Sequence, residues 1–105
     1  MSDYSQLKIH SLNAESTWID KDIIMLHACF QLLVDCVEKE DLLIGYTDWN
    51  FDKKTQDIFQ EITFLYQWWI ERRDSDKNEL LDSNQYDIDN EMLIRLINVR
   101  KSLWT

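Results

Sequence analysis

The chain has 105 residues, 45% of them hydrophobic and 12% aromatic, and its 20 acidic against 11 basic residues leave a formal charge of −9. That length suits one domain with a single modest core, and that apolar share excludes a disordered chain. A field this negative repels phosphate backbones and excludes ordinary nucleic-acid binding, while it favours partners with basic surfaces.

Without Pro, and with Gly45 as the only glycine, few positions force the backbone to turn, so long helices are predicted in place of a multi-stranded sheet. The expected fold class is all-α: a three-helix, bundle-like domain preceded by an irregular N-terminal arm over residues 1–19. The arm alternates weakly at Leu7, Ile9 and Leu12, which reads as an extended segment with no strand to pair with. Met1 to His10 lacks the basic and apolar regions of a signal peptide, and no apolar run reaches the ~18 residues of a membrane span. A cytoplasmic protein without membrane association is expected.

The first helix is predicted over about residues 20–39, where Ile23, Leu26, Phe30, Leu33 and Val37 recur at intervals of three and four, with Asp20 or Asp22 placed to cap it. Met25, Cys29, Leu32 and Cys36 form a second apolar row beside the first. A helix this apolar around its girth is either the centre of the fold or half of a subunit interface, so self-association through it is expected. Cys29 and Cys36 share a face about 10 Å apart, too far for a disulfide, and read as buried free thiols in a reducing compartment. The narrow polar side is His27, Gln31, Asp35 and Glu38. A His and a carboxylate on one edge suit metal binding or acid–base work only if another helix supplies partners. His10, the other histidine, lies outside any strong helix, so the stripe reads as a solvent edge or as a hydrogen-bonded His near the core.

Residues 39–50 form a connection, with Gly45 the natural turn residue and Asp48 or Asn50 a cap for the second helix. Trp49, Phe51 and Trp104 read as plugs closing the ends of the core. The second helix, about residues 52–73, groups Ile58, Ile62, Leu65, Tyr66 and Trp69 on one side. Phe64 and Trp68 fall on the other, polar side with Glu61 and Glu71. Either Leu7, Ile9, Leu12 or Trp18 of the arm folds over this pair, or the rings stand in water. In the second case Phe64 and Trp68, flanked by Glu61, Glu71 and Arg72, have the composition of an interface hot spot.

Between Asp74 and Glu91 seven acids stand against Lys77, which reads as a solvated loop. Asp87, Asp89 and Glu91 are expected to open the third helix, about residues 87–103, where negative charge suits the dipole. Its core face is Ile88, Met92, Leu93, Leu96, Val99 and Leu103, with Arg95, Arg100 and Lys101 toward its C-terminal half. Asp74, Asp76 and Asn78 imitate the opening of an EF-hand loop, but Glu79 stands where Gly is needed and Gln85 where the bidentate Glu belongs. No glycine-rich phosphate loop, nucleophile elbow, Cys-x-x-Cys or His-Glu-x-x-His occurs, so no catalytic residue, cofactor or metal is expected.

The run Leu26-His27-Ala28-Cys29-Phe30-Gln31-Leu32-Leu33-Val34-Asp35 with Val37-Glu38-Lys39-Glu40, the later Leu65-Tyr66-Gln67-Trp68-Trp69, and the ending Met92-Leu93-Ile94-Arg95-Leu96-Ile97 with Leu103-Trp104-Thr105 resemble a family of small uncharacterised acidic proteins of tailed bacteriophages. The likeness covers most of the chain after residue 20. The chain departs from that pattern at Cys36, where an aromatic is usual, and at Arg72-Arg73-Asp74, where a proline follows the tryptophan pair. The resemblance implies a phage setting and a helical fold, and carries no chemistry of its own. In that setting the expected function is a stoichiometric inhibitor or adaptor that binds a host or phage protein with a basic surface through Phe64, Trp68, Glu61, Glu71, Arg72, Asp74 and Asp76. The alternatives are sequestration of a nucleotide-like signal by Trp with Arg72, Arg73, Arg95 or Arg100, and an acidic mimic of DNA. An enzyme ranks last.

Overall fold

A computed structural model describes residues 8–10, 21–44, 50–74 and 83–103. Three α-helices account for most of these: α1 (Lys21–Glu38), α2 (Lys53–Arg73) and α3 (Ser83–Val99), the last continued by a 3₁₀ turn over Arg100–Leu103. No strand occurs among the described residues. The fold is an all-α three-helix bundle.

The helix ends show which residues punctuate the chain. Asp22 sits in the first turn of α1, where a carboxylate meets the positive end of the dipole; Asp20 lies outside the described residues. At the other end the amides of Lys39 and Glu40 both donate to the Asp35 carbonyl at 2.9 and 3.1 Å, and that of Leu42 donates to the Cys36 carbonyl at 2.9 Å. Asp41 makes this reversal possible at φ 53°, a left-handed conformation that Asp tolerates better than most residues. The stop therefore comes four residues before Gly45, which lies outside the described residues. The helix α2 is capped by Asp52, whose carboxylate accepts the Thr55 amide at 2.7 Å; Asn50, expected in that role, is not the cap, and Asp48 lies outside the described residues. The Thr55 amide also holds the Asp52 carboxyl below its ordinary value. The helix α3 begins at Ser83, a full turn before the expected start, so Asp87, Asp89 and Glu91 lie inside it and do not open it. Ser83 and Asn84 are residue types suited to a helix start.

Side-chain contacts fix the topology. Tyr66 of α2 reaches Glu38 at the end of α1, while Trp69 lies against Phe30 and His27, so α1 and α2 run antiparallel. Glu61 and Arg72 of α2 meet Arg95 and Asp89 of α3, so these two also run antiparallel. Helices α1 and α3 are then parallel, with Tyr86 bonded to Asp22 at one end and the Cys36 thiol donating to the Leu103 carbonyl at the other.

The core is centred on Trp69, fully buried and stacked on Phe30 with ring centroids 4.9 Å apart and planes inclined by 18°. His27 meets the same indole edge-on at 4.6 Å. Leu26, Leu33, Ile62, Leu65, Met92 and Leu96 pack around this centre. At roughly 25 cal/mol per Å² and 150–250 Å² per ring, burying Phe30 and Trp69 contributes about 4–6 kcal/mol each. The indole Nε1 has no hydrogen-bond partner among the described residues, a burial cost of about 1–3 kcal/mol that this packing outweighs.

Among the described residues, Arg72 and Asp89 form an ion pair buried on both sides. Arg72, 5% exposed, donates through Nε and Nη2 to both oxygens of Asp89 at 2.9 and 2.8 Å, and Gln85 Nε2 adds a third bond to Asp89 at 2.8 Å. Removing one partner strands a buried charge, so Asp89→Ala or Arg72→Ala should lower unfolding free energy by about 3–5 kcal/mol. Replacing both with apolar residues of similar volume should cost much less than the sum. Urea denaturation of the three variants measures both, and additive losses would contradict the pairing.

Candidate partner-binding surface

Of the two aromatic residues that the sequence places on the polar side of the second helix, one is exposed and the other covered. Phe64 is 43% exposed on α2, facing α3. Trp68 is half-buried: its ring lies 5.4 Å from Phe30 and 6.2 Å from Trp69. The expectation that both rings stand in water therefore needs correction. Trp68 follows Leu65 by three residues, close enough to the buried stripe for a ring of its size to reach back over it.

Phe64 is held in place by its neighbours. The Arg95 guanidinium of α3 lies over the ring, its carbon 4.5 Å from the centroid. Arg95 is itself fixed by Glu61, donating from Nε to Oε2 at 2.8 Å and from Nη2 to Oε1, a bidentate fork that leaves little rotational freedom. The fork holds the Glu61 carboxyl below its ordinary range and pushes Arg95 up, so the pair stays charged at neutral pH. Glu71 is exposed two turns further along α2. Asp74 is exposed at the C-cap, 4.0 Å from Arg73 Nε.

One other expected contributor does not stand on this surface. Arg72 is turned inward and committed to Asp89, because a guanidinium at that level of α2 faces α3 and not solvent. Asp76 lies outside the described residues, as do Asn78, Glu79 and most of the acidic connection. Gln85, the other EF-hand position, is buried and donates to Asp89. Phe51, expected as a plug, is instead 77% exposed before the first turn of α2, and Ile44 is exposed near it in sequence. Trp49 and Trp104 lie outside the described residues, as do Leu7, Leu12 and Trp18. Within the arm, the His10 amide donates to Gln31 Oε1 at 3.3 Å, which places that residue against α1.

The polar stripe of α1 is mostly enclosed, not a solvent edge. His27, Gln31 and Asp35 are buried and Glu38 alone is exposed. Gln31 Nε2 donates to Asp35 Oδ1 at 2.9 Å, Lys39 Nζ approaches the same oxygen at 3.5 Å, and the Tyr66 hydroxyl donates to Glu38. No group of three His, Cys, Asp or Glu side chains able to hold a metal ion occurs among the described residues. A notch of about 50 Å³ lies between the starts of α1 and α3, lined by Asp22, Met25, Tyr86, Asp89, Asn90 and Leu93 among others. It has room for one or two waters and none for a nucleotide. The arginines expected to clamp such a ligand are dispersed: Arg72 is level with Asp89, and eleven residues of rise put Arg100 roughly 16 Å away at the other end.

No protein-family model, no curated protein and no solved structure matches the chain. No helix among the described residues is long and apolar enough to cross a membrane.

Two measurements test the site's electrostatics. Burial, then Glu40 and Asp35, push the Cys36 thiol up to about 11, and burial raises Cys29 as well. With about one thiolate in a thousand at pH 8, Cys36 should label slowly with a thiol reagent in the folded protein and rapidly in denaturant. For Glu61 the folded carboxyl titrates below its ordinary 4.5, so the fork stabilises the fold above that pH and is lost as pH falls through the lowered value. Glu61→Gln should remove this acid-limb component, worth under about 1 kcal/mol for so accessible a pair, and leave stability at pH 9 reduced by the same amount.

Proposed function

We propose that the chain is a non-enzymatic protein-binding module of bacteriophage type, a stoichiometric inhibitor or adaptor that occupies a host protein in the cytoplasm of an infected bacterium. The supporting observation is the Phe64 platform: an accessible aromatic ring stacked against an arginine that is itself locked by a carboxylate on the opposite helix. Such a ring is ordered before a partner arrives, so docking loses little side-chain entropy. An aromatic beside an Arg, with Glu61 on that Arg and Glu71 exposed two turns along the same helix, matches the anchors and polar rim of interface hot spots. The charge of −9 directs the choice toward partners with basic surfaces and speeds their encounter. The Arg72–Asp89 pair holds α2 to α3 two turns along from Phe64.

The test is capture of partners from host lysate with immobilised wild type, Phe64→Ala and Arg95→Glu, followed by titration of the captured protein. Both variants should weaken binding by about 10- to 100-fold, and the wild-type association rate should fall as salt rises. An unchanged partner list across the three proteins, or no specific partner, would sink the reading.

A further inference from the structure

We infer that Lys8–His10 is a releasable strap over one edge of α1, opening as a unit of its own while the three-helix bundle stays folded, and that Gln31 is its latch. The edge follows from the geometry of the helix. At about 100° per residue, Asp22 and Cys36, which meet α3, lie about 80° and 120° to one side of Phe30, whereas Gln31 and Asp35 lie about 100° and 140° to the other. Phe30 itself faces Trp69 of α2. Ile24 sits on the same edge two turns before Gln31 and is 38% exposed, so neither neighbouring helix closes the edge at that level. Gln31 and Asp35 are nevertheless only 3% and 6% exposed.

Their cover is assembled from polar contacts. Lys39 Nζ lies 3.5 Å from Asp35 Oδ1, Gln31 Nε2 donates to that same oxygen at 2.9 Å, and the His10 amide reaches Gln31 from outside α1, donating to Oε1 at 3.3 Å. Asp35 decides which way the Gln31 amide points: a carboxylate only accepts, so it takes the Nε2 end and turns Oε1 toward the arm. The arm adds one side chain. Lys8 and His10 are exposed and Ile9 between them is half-buried, an alternation that turns Ile9 toward the protein.

Closure by these means is marginal. One hydrogen bond and one half-buried aliphatic side chain oppose the entropy of ordering three residues, whereas the bundle is held by the Phe30–Trp69 stack and the Arg72–Asp89 pair. An element held by so little opens locally, without global unfolding. Opening frees the Gln31 carbonyl and exposes the Asp35 carboxylate, so the strap controls access to an acceptor-rich edge that the closed protein hides.

Native-state hydrogen exchange of the full chain, read by NMR at single amides, tests this. The His10 amide should be protected about 10- to 100-fold relative to an unstructured chain, at a rate that low urea leaves unchanged, while the Phe30 and Leu33 amides exchange far more slowly and accelerate as urea is added. Gln31→Leu should bring His10 to within about 3-fold of the unstructured rate with Phe30 still protected. Ile9→Ser, a change outside the three helices, should lower His10 protection about 3- to 10-fold, and it decides the matter should Gln31→Leu fail to fold. An unprotected His10 amide in the wild type, a His10 amide that exchanges in step with Phe30, or protection that survives either substitution in full would overturn the inference.

Discussion

The helix α1 is apolar around more of its girth than two neighbours can cover, and the rest of the molecule depends on which part they do cover. The side chosen is the one bearing Phe30, because stacking it on Trp69 buries two aromatic rings at the crossing of α1 and α2. His27, Gln31 and Asp35 lie next to Phe30 on the same side and are drawn inside with it. The burial of Gln31 and Asp35 is tolerable because they bond each other, the His10 amide and Lys39, while His27 packs edge-on against Trp69. The consequence is an unusual exchange, in which polar groups go inside and Met25 and Leu32 remain outside.

The polar contacts between helices act mainly as register marks. Arg72 with Asp89 and Arg95 with Glu61 tie α2 to α3 at two levels, and Tyr66 with Glu38 ties α2 to α1. Hydrophobic packing alone would tolerate a slide of one turn, whereas a forked guanidinium does not. The buried pair contributes little net stability against an apolar alternative, so its effect is one of specificity. The same contacts shape the exterior: by holding Arg95 over Phe64, the second pair turns a loose aromatic into a fixed platform.

Periodicity made the three helices legible, since intervals of three and four along Ile23 to Val37, Ile58 to Trp69 and Met92 to Leu103 admit little else in a chain with one glycine. Boundaries were less legible. Asp41 and Asp52 punctuate the chain through backbone conformation and capping, which many acidic residues could equally supply. Within the candidate surface, the exposure of Phe64 was readable from its angle on the helix. The covering of Trp68 was not, because a large ring near the edge of a stripe reaches whatever the neighbouring helix presents there. The inward turn of Arg72 was hidden for a similar reason: its partner Asp89 sits in a segment whose charge suggested a solvated loop.

Residue order and composition suffice for the helices, their approximate limits, the acidic field and the aromatic abundance, all of which depend on local spacing or on sums over residues. Packing settles the remainder: which carboxylates are buried, which aromatic is presented, and which side of α1 faces water. Those outcomes depend on pairings across seventeen or more residues, such as Arg72 with Asp89 and Cys36 with Leu103. No local pattern encodes them, because a side chain's environment is set by the helix packed against it and not by the one that carries it.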